Sequence, residues 1–161
     1  LICYIEKYQA DLSRLCISLC GNRFDAQDLY QETWLKVIKK YGTYDLGKPF
    51  DKWLFAICVN TYKDSRKLAW QKKQIQFKTN EEKELFLSSV SESDNEEISN
   101  EDYIALHECI CKLPYKQRIV LVLTYFKDYT QSEVAQILNV PEGTVKSRLY
   151  KARIFLKESL K

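Results

Sequence analysis

Apolar residues recur at intervals of three and four along most of this chain, the spacing that places them on one face of an α-helix. In the first block, Leu12, Leu15 and Leu19 belong to one apolar stripe, and Gly21 then ends the pattern in a turn. Only four Gly and three Pro are present, so we predict an all-α fold. The predicted helices span residues 2–20, about 25–41, 50 to about 77, 100–112, 115–126 and two further segments within 130–156.

The pattern of residues 130–156 predicts a helix-turn-helix that binds DNA. Pro141 has no amide hydrogen for a continuing helix, so the first helix ends before it and a second begins near Glu142. On the second helix, a polar and basic arc lies opposite the apolar stripe, which suits the major groove of duplex DNA. This arc contains Lys146, Ser147, Tyr150 and Lys151, with Arg148 at its flank. An ordinary helical hairpin with a solvated basic face is the alternative interpretation.

The net charge of +3 is unevenly distributed along the chain. Residues 1–67 carry 11 basic and 8 acidic side chains, residues 68–107 carry 4 and 9, and residues 108–161 carry 10 and 5. Two basic ends therefore flank an acidic middle, which suits two nucleic-acid-facing units joined by a solvated connector. The middle is also rich in Glu, Ser and Asn, a composition typical of a flexible linker. The predicted layout is a small helical domain over 1–78, a linker over 79–99 and a second helical domain over 100–161.

Six cysteines raise the question of disulfides or a metal site. Cys3, Cys16 and Cys58 lie among apolar residues at helical spacing, so we predict buried, reduced thiols. The H-x-C-x-C spacing that begins at His107 lacks the paired C-x-x-C knuckles of structural zinc sites, and we expect neither a metal nor a cofactor. No apolar run approaches membrane-spanning length and no signal peptide opens the chain, which predicts a cytoplasmic protein.

The second predicted helix has two chemically different faces. Its inward stripe is apolar, whereas the opposite side groups two acids, an amide and a leucine, namely Asp28, Gln31, Glu32 and Leu35. Such a face is either plain solvated surface or a docking site for a basic protein partner. Composition alone favours the solvated surface.

The third predicted helix carries a polar strip of Asn60, Lys63 and Lys67, and Tyr44 and Trp53 lie among the aromatic residues near its start. Lysine binds phosphates while aromatic rings accept unstacked bases, the combination found in proteins that bind single strands. We expect most of the aromatic residues to belong to the core, with one or two left to contact a nucleotide.

Three blocks of the chain resemble an extracytoplasmic-function (ECF) sigma factor of the sigma-70 family. They are DAQDLYQETWLKV, then FDKWLFAICVNTYKDSRK, and finally LPYKQRIVLVLTYFKDYTQSEVAQILNVPEGTVKSRLYKARIFLKE. The first two blocks resemble region 2 of the family and the third resembles region 4, so the resemblance spans nearly everything outside the linker. It implies an alternative promoter-recognition subunit of bacterial RNA polymerase that directs a stress-response regulon.

The resemblance also implies a role for each candidate face. Asp28, Gln31 and Glu32, with Leu35 beside them, match the face that binds the β′ clamp helices of core polymerase; the β flap is a second expected contact. Asn60 matches the pocket for a flipped base of the −10 element, and Tyr44, Trp53, Lys63 and Lys67 are expected on the same surface, beside the loop 43–52. The residues that match the −35 reader are Lys146, Ser147, Arg148, Tyr150 and Lys151. Lys146 stands where arginine is common in the family, so bidentate readout of guanine is less assured.

The resemblance further implies regulation by an anti-sigma factor, which in some systems is anchored in the membrane. An exposed surface for polymerase docking is also available for an inhibitor to bind. Otherwise, autoinhibition would come from the two domains packing on each other. The alternative function is a stand-alone helix-turn-helix regulator that needs no polymerase. An enzyme, such as a nuclease using the acids of the Asp28 face, is disfavoured because the sequence offers no second acidic cluster for metals and no catalytic constellation.

Overall fold

A computed structural model describes residues 1–72, 100–126 and 128–160, and this part of the chain is helical, as predicted. The elements are α1 (Ile2–Cys20), α2 (Arg23–Lys40), a 3-10 turn (Tyr41–Thr43), α3 (Phe50–Lys72), α4 (Asn100–Lys112), α5 (Tyr115–Phe126), α6 (Gln131–Leu138) and α7 (Glu142–Ser159). The predicted linker over 79–99 and the predicted end of the third helix near residue 77 lie outside the described residues.

The turn between α1 and α2 is set by two neighbouring residues. Gly21 has φ 77°, a left-handed conformation that glycine adopts without steric cost, and it closes α1. The side chain of Asn22 accepts a hydrogen bond of 2.9 Å from the amide of Asp25 and so caps α2. As a result α2 begins at Arg23, two residues before the start predicted near Asp25.

The helix-turn-helix is defined in the same way by its caps. The Thr130 side chain accepts a hydrogen bond of 3.1 Å from the Glu133 amide and starts α6. Asn139, at φ 54°, ends α6 in the left-handed conformation, and Pro141 is the extended residue from which α7 begins. These local preferences turn the chain between two helices within three residues.

Helices α1, α2 and α3 pack on one another and form the N-terminal half. Their buried side chains include Leu12, Leu15, Leu19, Ala26, Leu29, Thr33, Val37, Leu54 and Phe55. Two expectations for this half were wrong. Cys3 is exposed because the first turns of α1 direct Tyr4 and Ile5, not Cys3, at the core. Helical spacing predicts that Leu68 shares the apolar stripe of the third helix with Leu54, Ile57, Cys58 and Thr61, but Leu68 is 57% exposed. The reason is that α3 has left the core by residue 64, after which each residue up to 68 is exposed.

Helices α4 to α7 form the C-terminal half, with α5 in contact with both helices of the helix-turn-helix. Ile119, Val120 and Leu123 of α5 are buried, as are Val145 and Leu149 of α7. The two halves also contact each other, through α1 with α4 and α5 and through α3 with α5 and α6. The buried residues of both halves therefore belong to one continuous cluster.

The thiols of this fold are expected to differ sharply in reactivity. Cys16 and Cys58 are buried with their Sγ atoms 3.8 Å apart, and the hydrogen bond between them, together with burial, raises the pKa of the Cys16 thiol far above its usual range. Brief treatment with iodoacetamide should therefore alkylate Cys3 in the folded protein and leave Cys16 and Cys58 unmodified, as read by peptide mass spectrometry. All three should react in urea. Native alkylation of Cys16 at the rate of Cys3 would contradict the packing.

Candidate nucleic-acid and protein interfaces

The exposed arc of α7 is the candidate surface for duplex DNA. Val145, Leu149 and Ala152 anchor the helix in the core. On the opposite side the predicted contact residues Lys146, Ser147, Tyr150 and Lys151 are all exposed, Tyr150 to 65%. The anchored face fixes the helix, and the polar arc is free to enter a groove.

The two arginines at the flanks of this arc are less free than its lysines. Arg148 is half-buried. Arg153 donates a hydrogen bond of 3.0 Å from Nε to the Tyr125 hydroxyl and lies 5.8 Å from the centre of that ring. Arg153 therefore ties α7 to α5 as well as adding positive charge.

The polar strip of α3 is the candidate surface for an unpaired strand. Asn60 and Lys67 are exposed, and Lys63 between them is half-buried. The pKa of Lys63 is lowered by burial first, and then by the positive charges of Arg148, Lys116 and Lys67. Positive charge from both predicted DNA surfaces thus acts on the Lys63 amine.

The aromatic residues before and within α3 form one cluster. The rings of Tyr44 and Trp53 lie 4.8 Å apart, and both contact Phe50, which stacks on Tyr4 at 4.1 Å. Phe50 is buried, whereas Tyr44 and Trp53 are half-buried at the edge of the cluster. Tyr4 of α1 supports this cluster. The sequence pattern did not reveal that contribution, because Tyr4 lies about forty residues before Tyr44 in the chain. The cluster gives the edge rings a rigid backing.

The outer face of α2 is the candidate protein-docking surface. All four predicted residues, Asp28, Gln31, Glu32 and Leu35, are exposed. Leu35 is 58% exposed, and the structure adds two apolar residues that sequence reasoning missed, Phe24 at 60% and Ile38 at 53%. Positions 24, 28, 31, 35 and 38 alternate steps of four and three, which is the seam of a coiled coil. We call this set the α2 seam.

Solvent exposure of the apolar residues in the α2 seam has a physical consequence. Phe24, Leu35 and Ile38 leave apolar surface in water that a protein partner could cover. Glu32, beside the seam, lies 3.6 Å from the Lys36 amine and remains largely solvated. The seam was recoverable from the sequence by testing α2 for a heptad on its polar side.

No group of three or more metal-ligating side chains is found within the described ranges. The His107 Nε2 atom instead lies 3.3 Å from the Cys111 thiol, one turn away on α4. Among the described helices, none is long and apolar enough to cross a membrane.

Comparisons with known proteins agree along the length of the chain. A family profile described as "Sigma-70 region 2" matches residues 4–71, and one described as "Sigma-70, region 4" matches residues 103–156. The RNA polymerase sigma factor SigV of Bacillus subtilis is 30% identical over 152 residues, covering 94% of this chain and 86% of SigV. The ECF RNA polymerase sigma factor SigW of the same organism is 27% identical over 164 residues, covering 98% of this chain and 87% of SigW.

Two solved structures share the fold. The sigma factor RpoE of Bartonella quintana, in complex with the anti-sigma factor NepR, aligns with a TM-score of 0.73 at 22% identity over 99% of this chain and 98% of RpoE. CnrH, in complex with the cytosolic domain of CnrY, aligns with a TM-score of 0.67 at 23% identity over 98% of this chain and 84% of CnrH.

A helix-turn-helix on the helical scaffold of the described residues is typical of a DNA-binding transcription factor. The family profiles for region 2 and region 4 match the chain in the order that the sequence predicted, which narrows the class of transcription factor to the sigma-70 family. The chain belongs to the ECF group of the sigma-70 family. It is an alternative sigma factor, which binds core RNA polymerase and directs it to specific promoters.

Proposed function

We propose that this sigma factor divides its work among three surfaces: the α2 seam binds core polymerase, the α3 strip captures the −10 element and the α7 arc reads the −35 element. The proposed domains are residues 1–78 and 100–161, joined by residues 79–99. The observation that carries the proposal is the α2 seam, because a regulator that only bound DNA would have no use for it.

The docking assignment rests on the shape and charge of the α2 seam. A heptad seam fits a helical partner, and the β′ clamp helices of polymerase are the partner that the family implies. Asp28 and Glu32 supply negative charge at the edge of the apolar residues, which favours a basic partner and orients it. Phe24 and Ile38 extend the contact beyond the four residues predicted from sequence.

The −10 assignment rests on the neighbourhood of Asn60. This exposed amide can both donate and accept hydrogen bonds, as recognition of a base edge requires. Tyr44 and Trp53, backed by the aromatic cluster, offer ring faces for an extruded base, and Lys63 and Lys67 offer positive charge for its phosphates. Capture of one flipped base would then begin strand opening.

The −35 assignment rests on the exposed arc of α7. Lys146 and Lys151 provide charge for phosphates or for the acceptor edge of guanine, while Ser147 and Tyr150 provide hydrogen bonds and apolar contact. Since lysine acts as a point charge, Lys146 should contribute more to affinity than to base discrimination. Arg148, half-buried at the flank, is assigned to the DNA backbone.

Regulation by an anti-sigma factor is also proposed. One structural relative, RpoE, was solved with the anti-sigma factor NepR, and another, CnrH, with the cytosolic domain of CnrY. The exposed apolar residues of the α2 seam offer this chain a point of capture for such a partner. The protein would act in the cytoplasm. An inhibitor that is anchored in the membrane would hold it near the membrane. It would contribute binding and strand capture, leaving the chemistry of RNA synthesis to the polymerase.

Replacement of Lys146 and Lys151 with alanine tests the −35 assignment. Affinity falls as salt rises, and each lysine that neutralises a phosphate makes the slope of log affinity against log salt steeper by about 0.9. The double variant should therefore have a slope that is shallower by about 1.8, and its holoenzyme should bind duplex promoter DNA more weakly. Fluorescence anisotropy across a salt series measures both quantities. Lys157→Ala, at the far end of the same helix, is the matched control. An unchanged slope would show that the arc does not face DNA.

A further inference from the structure

A crevice of about 520 Å³ opens among α4, α5 and α7 of the C-terminal half, and Ser18 of α1 also lines it. All three helices of that half contribute aliphatic side chains to its walls, namely Leu106, Ile110, Leu121, Val122 and Leu156. Sites for small molecules usually measure roughly 300–1,000 Å³ and are mostly apolar, with a few polar groups that orient the ligand. The crevice therefore has the size and the wall chemistry of a small-molecule site.

A guanidinium group lies at this crevice. Among the described residues that line it, Arg153 of α7 carries the permanent charge. Its Nε atom donates a hydrogen bond of 3.0 Å to the hydroxyl of Tyr125, which also lines the crevice. The guanidinium carbon lies 5.8 Å from the centre of the Tyr125 ring. These two contacts hold the charged group in place, so little conformational freedom is lost when a ligand binds to it.

The Nη atoms of Arg153 are available to an anion. A guanidinium has five N–H donors, and the bond to Tyr125 uses only the one on Nε. Across residues 1–72, 100–126 and 128–160, Arg153 forms no ion pair, and no aspartate or glutamate lines the crevice. Residues 108–161 carry 10 basic and 5 acidic side chains, which adds to the positive potential around it. The site therefore favours a negatively charged group.

The aliphatic walls and the guanidinium together select a ligand with an apolar body and one anionic end. A carboxylate accepts two parallel hydrogen bonds from the two Nη atoms of an arginine, and an apolar chain leaves water as it covers the walls. A peptide helix fits less well. At about 10 Å across and about 5.4 Å per turn, one turn of helix already fills about 420 Å³. A flexible chain or a single ring system is the better match in size.

We propose that this crevice binds an amphipathic carboxylate, such as a free fatty acid, with its anionic group on Arg153 and its chain along the aliphatic walls. Each methylene that leaves water raises the affinity about fourfold, so affinity should grow with chain length until the crevice is full. None of the lining residues belongs to the surfaces proposed for polymerase or promoter, so the site stands independently of those assignments.

Calorimetric titration of the full chain with decanoate and with decan-1-ol tests the site. The two probes have the same chain of ten carbons and differ in charge, and both are used below the concentrations at which they aggregate. Decanoate should saturate at one molecule per chain and bind about tenfold more tightly than decan-1-ol, because its carboxylate accepts charge-assisted hydrogen bonds. Equal affinities for the two probes, or no saturable binding of decanoate, would overturn the proposal.

Arg153→Gln tests the role of the guanidinium. Since Arg153 is exposed, the variant should fold, lower the affinity for decanoate about tenfold and leave the affinity for decan-1-ol unchanged. Lys157→Gln is the matched control, because it removes the same charge one turn further along α7 from an exposed residue that does not line the crevice. It should leave both affinities unchanged. The proposal is wrong if Arg153→Gln binds decanoate as tightly as the unmodified protein does.

Leu106→Phe tests the location by adding volume at a half-buried wall residue, and it should weaken both probes by at least about tenfold. Leu160→Phe, at an exposed leucine after α7, is the control and should have no effect. Thermal unfolding without ligand checks that each variant is folded. Unchanged affinities in a folded Leu106→Phe would place the carboxylate outside the crevice and overturn the proposal. If Leu106→Phe does not fold, the Arg153→Gln comparison decides.

Discussion

Alanine at Asp28, Gln31 and Glu32 together is expected to abolish promoter-directed transcription with purified core polymerase and to weaken polymerase binding by at least about 100-fold. All three side chains are exposed, so the fold should be unaffected. Their removal takes away the negative charge of Asp28, within the α2 seam, and of Glu32, beside it, which together orient the partner, and leaves only apolar contacts. Titration of labelled protein with core polymerase measures the loss directly, and run-off transcription measures its consequence.

The control for this experiment is Glu6→Ala/Gln9→Ala. It removes an exposed acid and an exposed amide from α1, away from the seam, and should leave polymerase affinity unchanged. If the triple variant transcribed as well as this control, the docking assignment would be wrong and the stand-alone regulator would become the better interpretation. Leu35→Ala, which removes exposed apolar surface, should weaken binding in the same direction.

Alanine at Asn60 is expected to slow promoter opening by about 10- to 100-fold. Extrusion of a base costs a few kcal/mol of stacking and pairing, which contacts in the receiving pocket must offset. The loss should appear on duplex promoter DNA, where the base must be flipped, and should largely disappear on a template already unpaired at the −10 element. Permanganate reactivity of unpaired thymines measures opening on duplex DNA, and run-off transcription compares the two templates.

Asp64→Ala is the matched control, since Asp64 is exposed on α3 one turn beyond Asn60. It removes a negative charge near the predicted strand path, so opening should be unchanged or slightly faster. A defect of Asn60→Ala that was equal on duplex and pre-opened templates would mean that Asn60 acts in folding or docking and not in capture of the base.

Local chemistry explains why most helix boundaries could be predicted from the sequence. Gly21, Asn139 and Pro141 each have backbone preferences that stop or start a helix without help from distant residues. The same holds for the exposed arc of α7, because residues three and four positions apart share a face in any α-helix. The exceptions, Cys3 and Leu68, lie near helix ends, where periodicity continues although the helix has left its partners.

The candidate sites were predicted only in part. Asp28, Gln31, Glu32 and Leu35 lie on one exposed face as expected, yet Phe24 and Ile38 were missed because apolar residues are assigned to a core by default. Tyr44 and Trp53 are half-buried at the rim of an aromatic cluster, and their support by Tyr4 depends on the packing of α1 against α3. The sequence pattern alone identified Tyr44 and Trp53 but not the aromatic cluster that supports them.

The sequence by itself therefore determined the helices, the helix-turn-helix and the family, since these depend on residues close together in the chain and on motifs in a set order. Only the tertiary structure decided how the halves meet. Arg118 reads in the sequence as one more surface cation, but it bonds the carbonyl of Leu19, 99 residues away. Helical periodicity describes neighbours within a few turns, whereas a contact across that separation exists only once the core has formed and removed the guanidinium from water.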